Sequence, residues 1–207
     1  MIAIIDYGVG NLFSLTSSFN AIGADVTITN DENVIRKAEK IILPGVGAFS
    51  DAAAKLKKSG LDKVVISEAL SGKPLLGVCL GMQLLFEKSL EFGECEGLGL
   101  IPGEIRPISE SIPADLKTPQ IGWNCLNFTG EKNPLFKYIK DGDFVYFVHS
   151  YHGVNCKAHT IATTSYGAEL TAAVANGNVF GCQFHPEKSG SVGLNILRAF
   201  CEMEASL

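Results

Sequence analysis

The first forty-odd residues alternate between short apolar runs and helical spacing. Met1 to Asp6 is a short apolar run that ends at Tyr7-Gly8-Val9-Gly10-Asn11. Such a run closed by glycines predicts a buried strand and a tight turn. Leu12, Leu15, Phe19 and Ile22 then recur three or four residues apart, the signature of a helix with one apolar face, and Gly23 marks its end. Asp25 to Thr29 alternates like a strand, and Asp31 is placed to cap a short helix. Ile41-Ile42-Leu43 predicts a third strand, stopped by Pro44-Gly45, and Leu75 to Val78 a fourth, with one helix before it and another after.

Strands that are apolar at every position, separated by helices, imply a parallel sheet covered on both faces. From about Ile101 the rhythm changes. Glu104–Ile108, Gly122–Phe128, Phe144–Val148, Thr160–Thr164, Thr171–Ala175 and Val179–Phe184 read as strands parted by turn residues, which predicts added antiparallel strands. Leu194, Leu197 and Cys201 line one side of a last helix from about Gly190 to Met203. No internal repeat or long linker interrupts the pattern. The expectation is one α/β domain over residues 1–207, with a mostly parallel central sheet, helices on both faces and extra antiparallel strands.

Composition narrows the chemistry. Lysine plus arginine is 17 against 22 for aspartate plus glutamate, a net charge of −5, whereas a protein that wraps phosphate backbones needs a basic field. Nucleic acid is therefore not the expected partner. The six cysteines, at 79, 95, 125, 156, 182 and 201, form no C-x-x-C clip, so neither a zinc site nor a disulfide framework is expected, and no cofactor motif appears. Gly8-Val9-Gly10 lacks the G-x-G-x-x-G spacing of a dinucleotide site. The longest stretch free of Asp, Glu, Lys and Arg, Tyr7 to Ala24, is studded with Gly, Asn, Ser and Thr, so no membrane span is expected, and the start shows no signal-peptide pattern. A cytoplasmic protein is the expectation.

Three segments carry candidate chemistry. Gly77-Val78-Cys79-Leu80-Gly81 follows a strand and precedes helical spacing, the arrangement of a nucleophile elbow with cysteine in place of serine. Glycines on either side suit a turn with no room for Cβ atoms, and a helix N-terminus favours the thiolate that would attack. Gln183-Phe184-His185-Pro186-Glu187-Lys188-Ser189 follows another strand; in an extended segment His185 and Glu187 point the same way, so the carboxylate can orient the imidazole as the third member of a triad does. His149, His152 and His159 compete for the base role on composition alone. The third segment, Pro44-Gly45-Val46-Gly47-Ala48-Phe49, can present backbone N–H groups to an anion, or be a plain strand-to-helix turn.

Together G-V-C-L-G-M-Q, P-G-V-G-A-F and Q-F-H-P-E-K-S resemble a class I glutamine amidotransferase, whose domain is flavodoxin-like. More narrowly, D-Y-G-V-G-N-L at Asp6–Leu12, G-W-N at Gly122–Asn124 and Y-F-V-H-S-Y at Tyr146–Tyr151 are similar to the glutaminase subunits of imidazole glycerol phosphate synthases. The resemblance implies a triad of Cys79, His185 and Glu187 that hydrolyses glutamine to glutamate and ammonia. It implies an oxyanion hole from Val46 and Leu80, and a glutamine pocket from Gly45, Gly47, Gln83, His149, Ser150 and Tyr151. It also implies a heterodimer with a (β/α)8-barrel cyclase subunit that takes up the ammonia in histidine biosynthesis, with Asn11, Trp123, Tyr146 and Lys188 facing that partner.

One position departs from the pattern. Before Gly-Trp-Asn the family usually has Pro-His-Met, and here Pro119-Gln120-Ile121 stands instead. Glutamine keeps the hydrogen-bonding capacity and loses titration near neutral pH. The substitution leaves a second acceptor open, such as a nucleotide-linked sugar supplied by a related glutaminase.

Overall fold

The computed structural model describes residues 1–204. Strand β1 (Ile2–Ile5), helix α1 (Leu12–Ala21), β2 (Val26–Thr29), α2 (Glu32–Lys37) and β3 (Lys40–Leu43) come first. Asn11 caps α1 by accepting the Ser14 N–H at 3.3 Å, and Asp31 caps α2 by accepting that of Asn33 at 2.7 Å. Between β3 and β4 (Leu75–Val78) the sequence suggested one helix; there are two, α3 (Phe49–Ser59) and α4 (Leu61–Leu70), parted by Gly60 at φ 74°. A left-handed residue ends a helix and lets the chain turn.

The helix after β4 is short, α5 (Leu80–Leu84), and is followed by strands that the sequence did not signal, β5 (Phe86–Ser89) and β6 (Cys95–Glu96). Then come β7 (Ile101–Pro107), β8 (Gln120–Cys125), β9 (Asn127–Phe128), β10 (Phe144–His149), β11 (Tyr151–Val154), β12 (Thr160–Ser165), β13 (Glu169–Asn176), β14 (Val179–Cys182) and α6 (Gly190–Cys201).

The main sheet runs β2-β1-β3-β4-β14-β13-β12-β9. Its first five strands are mutually parallel and the last three pair antiparallel. With β14 as fifth strand, the parallel part has the 2-1-3-4-5 order of a flavodoxin-like fold. Strand side chains alternate between two cores. Ala3, Ile5, Ile41, Leu43 and Leu75 face α2, α3, α4 and α5, while Ile2, Ile4, Ile42, Leu76 and Val78 face α1 and α6. Each such buried side chain contributes about 1.5–3 kcal/mol.

Two small sheets sit beside the carboxyl ends of these strands: β10 with β8, and β11-β7-β5-β6. The predicted strand Gly122–Phe128 is broken at Leu126, whose buried side chain sends β8 and β9 into different sheets. Further along, β10 ends at His149, and the chain crosses to another sheet at Tyr151. Among the described residues no helix is long and apolar enough to cross a membrane.

Candidate active site

Three consecutive strands, β3, β4 and β14, deliver the site at their carboxyl ends, where α/β sheets of this order bind ligands. Cys79 leaves β4 with φ 54° and ψ −113°. A residue bearing a Cβ adopts such a conformation at a cost of order 1–3 kcal/mol, and only where the surroundings enforce it. Here they do. The Cys79 N–H donates to the Cys182 carbonyl at 2.7 Å, and α5 starts at the next residue.

The glycines are close-approach residues. A Cβ on Gly81 would stand 1.9 Å from the Leu43 carbonyl oxygen, one on Gly77 2.7 Å from the Gly81 main chain, and one on Gly45 2.6 Å from the Gly81 nitrogen. The turn after β3 and the elbow after β4 therefore touch backbone to backbone.

His185 Nδ1 lies 2.8 Å from Glu187 Oε1, with both side chains almost fully buried. The extended path expected between them is wrong: Pro186–Lys188 is a single 3-10 turn. Proline is tolerated at the first position of such a turn, where no N–H is needed, and the turn brings the carboxylate back onto the ring. Burial opposes a charge on His185, but hydrogen bonds to Cys79 and Glu187 outweigh it and raise the imidazole to about 9. Glu187 Oε2 is buried and has no partner.

A cavity of about 380 Å3 opens over the sulfur, a size suited to a small ligand. Its walls include Val46, Gly47, Cys79, Leu80, Gln83, Glu91, His149, Ser150, Tyr151, His185 and Lys188. Gly45 is not in the wall; it packs beneath, on the elbow. Leu80, at the first position of α5, has an N–H with no partner inside the helix, and Val46 is 43% exposed on the neighbouring turn. Gln83 donates from Nε2 to the Tyr151 carbonyl at 3.3 Å.

Glu91, the one carboxylate in that wall, escaped sequence reasoning. In Ser89-Leu90-Glu91-Phe92-Gly93 it reads as a solvated loop residue. It is buried because its Oε2 accepts the Phe49 N–H at the start of α3, a contact between segments 42 residues apart. Nothing local announces it.

The other histidines are accounted for. His149 has Nδ1 2.8 Å from the Tyr151 carbonyl and Nε2 2.9 Å from Gln120 Oε1, so Gln120 occupies the position facing that ring. Burial holds His149 down to about 4, against the Tyr151 bond that favours its proton. His152 is buried on β11 beside Ser111, and burial likewise lowers it to about 4. His159 lies half-buried in a 3-10 turn away from the cavity wall.

Of the residues assigned to a partner face, three come together. Trp123, 53% exposed, packs its ring edge-on 6.0 Å from Tyr146, and Lys188 Nζ stands 5.9 Å from the Tyr146 ring centre. Asn11 serves as the α1 cap. Among the described residues no group of three or more His, Cys, Asp or Glu is arranged to hold a metal ion.

The site thus sets a cysteine on a strand–turn–helix elbow, a histidine just past the end of the adjacent strand and a glutamate behind it. The class I glutamine amidotransferase family model matches residues 3–203, and the chain belongs to that family. Solved structures share its fold: a glutamine amidotransferase crystal structure gives a TM-score of 0.75 at 16% identity over 98% of both chains, and PurLQS from Thermotoga maritima 0.75 at 19% over 96% of both.

Within the family the chain is similar to imidazole glycerol phosphate synthase subunits HisH. That of Caldanaerobacter subterraneus is 49% identical over 204 residues, 98% of each chain. The HisH of Lactococcus lactis is 48% identical over 97% of this chain and 98% of its own, and that of Wolinella succinogenes 45% over 98% and 100%.

Proposed function

We propose that the chain is the glutaminase subunit of an imidazole glycerol phosphate synthase. It hydrolyses glutamine to glutamate and ammonia and passes the ammonia to a (β/α)8-barrel synthase subunit in histidine biosynthesis. The observation that carries the reading is the line Glu187–His185–Cys79 at the floor of a glutamine-sized cavity, in a chain almost half identical to HisH subunits over nearly its whole length.

In the proposed mechanism Cys79 Sγ, as thiolate, attacks the carboxamide carbon of glutamine. The oxyanion that forms is met by the N–H groups of Leu80 and Val46. His185 gives its proton to the departing nitrogen, and ammonia leaves a glutamyl thioester. Water, activated by the now neutral His185, adds to the thioester; the C–S bond breaks, the sulfur departs with its electron pair, and glutamate is released. Glu187 holds the ring and favours its protonated form. Glu91 faces the substrate ammonium across the cavity, and Gln83, Gly47, Ser150 and Tyr151 frame the rest.

Residues 1–207 act as one glutaminase domain in this reading, in the cytoplasm. Trp123, Tyr146 and Lys188 form the docking patch for the barrel, with an aromatic anchor of the kind that dominates interfaces. The relatives compared are HisH subunits, which favours this acceptor over a nucleotide-linked sugar despite Gln120.

The test is glutamate release with and without a histidine-pathway barrel subunit and its nucleotide ligand. Stimulation by the pair, abolished in Cys79→Ala with the fold retained, is expected. Glutaminase activity within tenfold of wild type in Cys79→Ala rejects the triad, and no stimulation rejects the partner.

A further inference from the structure

Gln183 is fully buried and has no part in the mechanism above. The register of the central sheet brings it to the nucleophile. β4 and β14 run parallel with Val78 opposite Cys182, so the next pair along is Cys79 and Gln183. Its side-chain nitrogen is 3.9 Å from Cys79 Sγ, within reach of a hydrogen bond to sulfur.

Which end of the carboxamide faces the sulfur is decided by a directional chain. The Tyr151 carbonyl can only accept, so the group that Gln83 turns toward it at 3.3 Å is the NH2. The same nitrogen lies 3.0 Å from Gln183 Oε1 and gives it the second hydrogen. With its oxygen engaged by Gln83, Gln183 has its NH2 left for Cys79. All three side chains are buried, and a low local polarity strengthens the bonds between them.

We propose that Gln183 is a positioning residue for the nucleophile: locked by Gln83 and the Tyr151 carbonyl, its amide donates to Cys79 Sγ and holds the sulfur in its attacking orientation. The inference rests on the glutaminase reading, in which Cys79 is that nucleophile. A thiolate accepts a hydrogen bond better than a thioester sulfur does, so the contact acts on the attacking thiolate and again when sulfur departs from the glutamyl carbon with its electron pair. The titratable groups facing the sulfur are His185, backed by Glu187, and Tyr7, whose hydroxyl donates to the Pro44 carbonyl at 2.6 Å. His149 lines the same cavity, near enough to His185 for the two charges to repel. None of these depends on Gln183 for its own hydrogen bonds.

The experiment uses the full chain, alone for alkylation and with the barrel subunit for turnover. Q183L removes the donor at similar volume, and Q183E puts an acceptor there. Iodoacetamide labelling of Cys79 at pH 7, followed by peptide mapping, is expected to slow roughly fivefold in Q183L and further in Q183E, with kcat for glutamine falling about as much and KM unchanged. Labelling and kcat within twofold of wild type in folded Q183L, a change in KM alone, or Q183E faster than Q183L would each overturn the assignment. If Q183L does not fold, Q83L, which frees the amide to turn, must slow labelling in the same direction. Wild-type chain that is labelled at Cys79 but never hydrolyses glutamine rejects the glutaminase reading instead, and the labelling rates still decide the role of Gln183.

Discussion

Replacing Glu187 by glutamine keeps its shape and removes one charge. The carboxylate takes the Nδ1–H of His185 at 2.8 Å, and the side chains are 4% and 1% exposed, so solvent hardly screens the pair. A hydrogen bond to a charged group is worth about 1.5–3 kcal/mol, against about 1 for a neutral one. The loss is therefore about 0.5–2 kcal/mol, centred near one pKa unit. His185, raised to about 9 because the Cys79 and Glu187 bonds outweigh burial, should fall to about 8 in the variant. A second cost is independent of pH. Glu187 Oε2 has no partner, and an NH2 in its place becomes an unpaired buried donor worth about 1–3 kcal/mol of stability.

Titration separates the two costs. A histidine raised on folding stabilises fully below its unfolded value near 6.5, and that share is lost as the pH rises through about 9. The stability gap between wild type and Glu187→Gln should then be widest near pH 6 and shrink toward pH 10, leaving the amide's share. Urea unfolding across that range measures it. Glutaminase kcat/KM against pH, measured with the barrel subunit, should lose its alkaline limb about one unit earlier in the variant. A stability gap that is flat in pH, together with an unmoved alkaline limb, would refute this account of Glu187.

Further consequences can be checked separately. Cys79→Gly relieves the positive φ at the elbow and should raise stability by about 1–2 kcal/mol in thermal unfolding while abolishing turnover; a lower Tm contradicts the strain. Glu91→Gln should raise KM for glutamine about tenfold or more with little change in kcat, and an unchanged KM removes Glu91 from the substrate site. His152 is held to about 4 by burial and its Nδ1 has no partner, so the unfolded chain binds its proton first as the pH falls from 6.5 to 4, and stability drops by roughly 2–3 kcal/mol over that window. In His152→Gln that part of the acid slope should vanish; an identical slope in both proteins would show that another group titrates.

The parts of the site legible in the sequence are those written locally. Gly77, Cys79 and Gly81 lie within five residues, and the chemistry of a tight strand-to-helix turn demands that spacing. His185 and Glu187 were recognisable as a pair, although the 3-10 turn that joins them was not, because proline suits both an extended path and a first helical position. The apolar run Leu84-Leu85-Phe86 continues the helical spacing of α5, and it masked the end of that helix and the start of β5. Glu91 and Gln183 stayed silent for another reason. A buried polar residue is identified by its partners, and those of Glu91 and Gln183 lie 42 and 100 positions away.

The backbone contact at Gly81 also sets how the turn after β3 can move. Gly45 is pinned against the elbow, and the Phe49 N–H is tied to Glu91. Between these two anchors lie Val46, Gly47 and Ala48; the Ala48 carbonyl accepts the Ala52 N–H of α3 at 3.2 Å, and Gly47, at φ 94°, has open space around it. That leaves the two soft torsions each of Val46 and Gly47, four in all. Fixing both ends in position and orientation imposes six conditions, so the turn has at most a few separate conformations and no continuous range between them. A change at the Val46–Gly47 peptide would then be a jump that turns a different N–H or C=O toward the cavity.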